Sequence, residues 1–205
     1  MRKLITMALA AGIIFTLQPA KLSANGYRYL FNAGVSYPLA PTTFNKNWKI
    51  GFNLGVGFER KLAGPWYGQV YFDYNNFEIE DEQYTKWAGY FEPGLSVDGG
   101  TASVLSLSAN LKRMFTRARS GEAPYIIGGI GLYRFTVADG FFATRDTTIN
   151  IISSSQNSVA LNFGAGIDVR IGNRTSFYLE GRYFVGFTSN EVTQHVPLRV
   201  GIIFR

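Results

Sequence analysis

The sequence predicts an all-β protein, a single eight-stranded antiparallel up-and-down barrel, and three observations predict it. Apolar residues alternate with small or polar ones from end to end, the two-residue period of a strand. No segment beyond the first two dozen residues carries a convincing 3.6-residue apolar period for longer than a turn or two. Between the alternating segments, the connections run alternately long and short, as in a barrel whose hairpins open at two different ends.

The chain is 205 residues long, enough for one domain with a real core or one small barrel. It opens Met1-Arg2-Lys3, continues without charge from Leu4 to Leu17, and reaches Gln18-Pro19-Ala20-Lys21-Leu22-Ser23-Ala24. A basic start, a short apolar run and small residues before a cut after Ala24 predict a secretory signal peptide over 1–24. The apolar run is shorter than the ~20 residues of a spanning helix. The barrel domain is then 25–205.

No cysteine occurs, which excludes disulfides, a lipid-modified N-terminal cysteine, thiolate metal sites and a cysteine nucleophile. Three of the 20 lysines and arginines lie in the leader, and the rest face 14 acidic residues. This small positive excess shows no clustered stripe of the nucleic-acid-binding kind.

The first strand sets Tyr29, Phe31, Ala33, Val35 and Tyr37 against Arg28, Asn32, Gly34 and Ser36. The second, from Trp48, opposes Trp48, Ile50, Phe52, Leu54, Val56 and Phe58 to Lys49, Gly51, Asn53, Gly55, Gly57 and Glu59. In the third, Val70, Phe72 and Tyr74 oppose Gln69, Tyr71, Asp73 and Asn75, with a parity slip expected near Asn76. Strand four pairs Leu105, Leu107, Ala109 and Leu111 with Ser106, Ser108, Asn110 and Lys112. Strand five starts at Pro124 and ends with Tyr133, Phe135 and Val137 opposite Arg134 and Thr136. Strand six is the stretch SVALNFGAGIDVRI, 158–171, with an unbroken apolar face and a face of Ala160, Asn162, Gly164, Gly166, Asp168 and Arg170. Strand seven sets Phe177, Leu179, Gly181, Tyr183 and Val185 against Glu180, Arg182 and Gly186. Strand eight sets Val196, Leu198, Val200, Ile202 and Phe204 against Arg199 and Gly201. With both termini periplasmic, the outer connections fall near 38–47, 80–99, 139–157 and 188–193, and the inner turns near 60–66, 115–123 and 172–174.

A soluble β-protein shows water a face rich in long charged side chains. Here the polar face is mostly Gly, Ser and Asn, with single charges of both signs: Lys49, Glu59, Asp73, Lys112, Arg134, Asp168, Arg170, Glu180, Arg182 and Arg199. Small residues suit a narrow lumen, where opposite charges can pair instead of standing desolvated and alone. The barrel is therefore expected to be transmembrane, its apolar face turned to lipid. Tyr27, Tyr29, Tyr37, Trp48, Phe58, Trp66 and Tyr67, near strand ends, are expected in girdles at the lipid boundary.

On the leader, on Gly-rich strands such as GFNLGVGFE and PYIIGGIGLY, and on the end VPLRVGIIFR, the chain resembles the small eight-stranded outer-membrane barrels of Gram-negative bacteria. These are of the OmpX, OmpW and OmpA-transmembrane-domain type. The resemblance covers nearly all of 25–205. It implies an outer-membrane location with lipid and lipopolysaccharide as surroundings. It also implies a terminal-strand signal for the barrel-assembly machinery, carried by Leu198, Val200, Ile202 and Phe204, although Arg205 rather than an aromatic is last here.

The resemblance includes lipid A-modifying enzymes, but His195, the only histidine, sits near the outer rim without a His-x-Ser neighbourhood. The Gly128-Gly129-Ile130-Gly131 run has no following helix to cradle a phosphate. Glu78, Glu80, Asp81 and Glu82 either bind a divalent cation or form a solvated loop. Trp87, Tyr90, Phe91, Phe141 and Phe142 are outer-loop interaction candidates, or strand extensions above the membrane. No catalytic site, metal or cofactor is expected. The role expected first is structural or surface-interacting; a narrow channel or carrier for small hydrophobic molecules comes next, ahead of an enzyme or a soluble lipocalin-like barrel.

Overall fold

The computed structural model describes residues 26–87, 89, 97–115, 121–143, 148–188 and 191–205; the leader, Tyr90 and Phe91 lie outside the described residues. In chain order the elements are β1 (Tyr27–Ala40), α1 (Thr42–Asn47), β2 (Gly51–Lys61), β3 (Trp66–Phe77), α2 (Asp81–Trp87), β4 (Asp98–Gly99), β5 (Ala102–Met114), β6 (Glu122–Val137), β7 (Gly140–Ala143), β8 (Thr148–Ile151), β9 (Ser154–Arg170), β10 (Thr175–Phe187) and β11 (Val192–Phe204).

Eight of the strands close in the order β1-β2-β3-β5-β6-β9-β10-β11, every neighbour antiparallel, and β11 pairs back onto β1 with Phe204 opposite Tyr29 and Val196 opposite Tyr37. Closure removes the unpaired edge that an open sheet would leave. Among the described residues, β4, β7 and β8 form a small separate sheet in the connections at one end, the loop end. The start of β1 and the C-terminal Arg205 lie at the other, the terminal end.

The pleat sorts side chains as the alternation requires. Leu54, Leu107, Leu161 and Val200 point outward and are exposed, while Asn53, Ser106, Asn162 and Arg199 point inward and are buried. Every barrel strand has 11 residues or more, β2 having 11 and β9 having 17. A tilted strand crosses a bilayer with about 9–11.

Five expectations change. The second strand starts at Gly51, so Trp48 and Lys49 lie in the connection before it, and Trp48 bridges to Ile79 instead. β9 starts at Ser154, four positions earlier than expected, and β6 at Glu122. There is no slip near Asn76: the β3 register runs unbroken from Trp66 to Phe77, and Phe77 points into the lumen, fully buried. On β6 the end faces are exchanged, with Tyr133 buried opposite Ser106 and Arg134 exposed on the outside.

The last two changes share a physical cause. Outward positions are apolar along the middle of the strands, then turn polar toward the loop end on β3, β5, β6 and β9, at Asn76, Ser103, Arg134 and Asn157, while Leu39, Phe187 and Val192 stay apolar and exposed around Gln194. Asn76 pairs with Ser103 in register, and Arg134 with Asn157. At the same height the inward positions turn apolar: Phe77, Ala102, Val104, Tyr133 and Ala160 form one cluster with Phe44. The pleat is constant while the outward residues change from apolar to polar, the pattern expected where an apolar medium outside the barrel gives way to water.

Candidate functional site

Strand geometry puts Arg28, Glu59, Asp73, Lys112, Asp168, Glu180, Arg182 and Arg199 on inward positions, all buried. Four cations meet four carboxylates. Toward the terminal end, Arg28 pairs with Glu59 and with Asp168 at 3.3 Å, while Lys112 reaches Glu59 at 3.4 Å and lies 3.9 Å from the centre of the Tyr125 ring. One layer further in, the Glu180 carboxylate accepts from Arg182 at 2.7 Å and Arg199 at 2.7 Å, and its second oxygen accepts from the Tyr125 hydroxyl at 3.0 Å. Arg199 continues to Asp73. Gln69 joins the two layers, donating to Glu59 at 3.5 Å and accepting from Arg182 at 3.2 Å.

Beside this network, the Tyr71 and Tyr178 hydroxyls bond at 2.9 Å and Asn32 donates to both. The Tyr71 ring lies directly across the strand pair from Gly57, and Tyr178 from Gly201. A Cβ at either glycine would overlap the ring, so the glycines make room for lumen-filling aromatics. Gly201→Ala also drives a methyl into the Phe31 carbonyl oxygen. We expect a loss of about 1–3 kcal/mol from this overpacking, read as an earlier midpoint in denaturant unfolding; an unchanged midpoint would refute it.

Seven of the ten charges expected inside are there. Lys49 precedes β2 and is exposed, Arg134 points outward, and Arg170 has inward parity but stands exposed at the terminal mouth. Arg28 completes the balance. Its signal was its shared parity with Asn32, Gly34 and Ser36. His195 stands near the loop end of β11, as expected, but it is fully buried, stacked on Phe184 with ring centres 5.0 Å apart and 3.5 Å from the Tyr133 hydroxyl. Its Nε2 has no hydrogen-bond partner among the described residues.

At the loop end, α1 lays Phe44 across the lumen mouth, 5.0 Å from the Phe77 ring and 5.4 Å from Phe135. Behind it, Phe44, Trp48, Tyr84, Phe135, Gln156 and Glu191 line a hollow of about 450 Å³. On α2, Lys86 at 2.6 Å holds the exposed Glu82 carboxyl below its ordinary range, and burial pushes the Tyr84 hydroxyl up. Among the described residues, no three acidic or histidine side chains come together to hold a metal, the Glu78–Glu82 run included. Phe141 is half exposed on β7; the side chains of Trp87 and Phe142, like Tyr90 and Phe91, lie outside the described residues.

The expected girdle divides. Tyr27, Tyr29, Phe58 and Trp66 face outward near the terminal end, with Tyr27 stacked on Phe58 at 5.4 Å, and Tyr37 faces outward near the loop end. Trp48 packs over the lumen mouth, and Tyr67 lies under the Arg28 guanidinium at 4.2 Å. Two tyrosines not expected there mark the loop-end boundary: the outward Tyr74 donates to Asn76 at 3.2 Å and Tyr183 to Gln194 at 2.5 Å. Each ring lies on the apolar belt with its hydroxyl on the polar ring above, the arrangement of an interfacial tyrosine.

No family model and no curated protein matches the sequence. Among solved structures, Neisserial surface protein A superposes with a TM-score of 0.59 at 14% identity, covering 87% of this chain and 96% of that one. The chain has the fold of a small outer-membrane barrel. A major outer membrane protein from Thermus thermophilus gives a TM-score of 0.55 at 11% identity, covering 87% of this barrel chain and 98% of its own. OprG from Pseudomonas aeruginosa gives 0.50 at 13%, covering 88% and 96%. At such identities the shared property is the fold.

Proposed function

We propose that the protein is an integral outer-membrane β-barrel with periplasmic termini, exported by a cleaved signal peptide, whose role is non-enzymatic: structural, and interacting with the surroundings through its loop end. The observation that carries this reading is the inversion of polarity along single strands. A soluble barrel with an apolar interior keeps its hydrophobic residues inside over its whole height, whereas on β3, β5, β6 and β9 the outward residues are apolar below the Asn76–Ser103 level and polar at it, and the inward residues there turn from the charged network to the apolar cluster around Phe44. Only a medium that is apolar over part of the height favours both arrangements in one strand.

The lumen supports a role other than diffusion. Arg182, Arg199, Tyr71, Tyr125, Lys112, Leu30 and Ile203 are among its largest side chains, and all are fully buried. A balanced ion-pair network in that space leaves guanidinium groups facing carboxylates in place of a water column. The sequestered His195 supports a non-enzymatic reading, because a general base must reach its substrate. Lipid and lipopolysaccharide are the surroundings this reading implies. The outward Leu198, Val200, Ile202 and Phe204 of β11 are the segment offered to the barrel-assembly machinery.

The test is mobility of the outer-membrane fraction in SDS, boiled against unboiled. Heat-dependent mobility in that fraction is the expected result. Recovery of the protein in the soluble fraction, with one mobility, would overturn the membrane assignment. In liposomes the purified barrel is expected to pass no small sugar above the empty-liposome rate. Measurable flux would favour the narrow-channel reading.

A further inference from the structure

We infer that the terminal end of the barrel holds a binding site for phosphate-bearing anions. A basin of about 1020 Å³ opens there, lined by Arg28, Lys61, Arg113, Arg170, Arg174 and Arg205. The two carboxylates behind it are already engaged: Glu59 with Arg28 and Lys112, and Asp168 with Arg28 and, at 4.0 Å, Arg205. Among the described residues, Lys61, Arg113, Arg170 and Arg174 make no ion pair. Four cations around one concavity repel each other, and an anion seated among them removes that repulsion.

The backbone makes this convergence. Inward parity carries Lys61 at the end of β2 and Arg170 at the end of β9 to the mouth. Arg174 stands in the β9–β10 turn, and its carbonyl accepts from the Arg205 backbone N–H at 2.9 Å, which holds the C-terminal residue beside it. Arginine presents a planar fork of donors that matches two phosphate oxygens at once, which favours phosphate over a halide or a single carboxylate.

Position points to the same chemistry. Arg113 stacks over Trp66 and Phe115 at 5.7 and 5.5 Å, and Arg60 over Tyr27 at 5.2 Å, so the basin is rimmed by aromatic residues that carry guanidinium groups. Such a rim sits at headgroup depth, where basic clusters attract anionic lipid. The loop end is opposite in sign, with Glu78, Glu80, Asp81 and Glu82 grouped before and within α2. The phosphate can belong to an anionic phospholipid of the adjacent leaflet or to a free phosphate compound. Only the lipid source rests on the membrane reading above.

The experiment uses protein extracted from membranes and purified in detergent, with binding measured for phosphatidylglycerol, phosphatidylcholine and inorganic pyrophosphate. Phosphatidylglycerol is expected to bind and phosphatidylcholine to bind far more weakly. The triple variant Lys61→Gln, Arg170→Gln, Arg174→Gln is expected to weaken phosphatidylglycerol on the order of a hundredfold, because it removes three basic groups near a headgroup. Pyrophosphate that binds and competes identifies a site open to free phosphate compounds, and pyrophosphate without effect identifies a lipid site. Equal binding of the two lipids with no pyrophosphate binding, or a triple variant that binds like the parent, would overturn the inference. Heat-dependent mobility checks that the variant is folded. If it is not, the turn variant Arg174→Gln carries the test, with a severalfold loss expected and no loss refuting. A soluble protein that still binds pyrophosphate would sink the membrane assignment and leave this site standing.

Discussion

Replacing Glu180 by Gln is expected to destabilise the barrel by about 3–5 kcal/mol, the usual result of removing one partner from a buried ion-pair group. The amide keeps the shape and loses the charge. Of the two arginines, each 2.7 Å from Glu180, Arg199 then keeps Asp73 as a carboxylate partner and Arg182 keeps only the Gln69 carbonyl at 3.2 Å. Four cations would face three carboxylates in a lumen closed to water. Urea-dependent refolding into lipid vesicles, followed by fluorescence, should show the midpoint falling at unchanged slope. Glu180→Gln combined with Arg182→Met restores the charge balance, so the double variant is expected to be less destabilised than the sum of the two single ones. A Glu180→Gln midpoint within about 0.5 kcal/mol of the parent would mean that the network is solvated or unimportant.

Leu107→Arg is the second large effect, and it separates two readings of the same exposed residue. Leu107 is 48% exposed, midway along the outward face of β5. On a soluble barrel, an exposed leucine accepts arginine with little change. Facing the middle of a bilayer, the same substitution costs about 2–4 kcal/mol, falling to ~0–1 near the interfaces. Asn76→Arg, at the polar ring, is therefore expected to be nearly silent under the refolding conditions in which Leu107→Arg is severe. Equal small effects at both positions would place Leu107 in water.

The polarity inversion explains why part of the molecule is hard to read from its sequence. A two-residue period says which side chains share a face, and it does so correctly for β1, β5, β10 and β11. It does not say which medium the face meets. Turning every apolar face outward works along mid-strand and fails at Phe77, Tyr133 and Arg134, where the outward residues have become polar. The apparent slip at Asn76 is that boundary, met in a strand whose register never changes. Trp48 and Lys49 mislead for a related reason: alternation continues past the last ladder hydrogen bond, and the indole finds its partners in α1 and α2, with Phe44 at 5.8 Å and Tyr84 at 6.3 Å.

The amino-acid sequence by itself determined the all-β class, the eight barrel strands, nearly all their facing and seven of the lumen charges, because pleat parity and small residues on one face are local properties of the chain. Tertiary structure alone decided which charges meet. Arg28 and Asp168 are far apart in sequence, as are Asp73 and Arg199, and only closure of β11 onto β1, with the register that closure imposes, brings them within reach. It also decided that His195 is buried among aromatic rings and that basic residues from separate strand ends and a turn converge on one basin. Parity gives each side chain a direction; the ring of strands gives it neighbours.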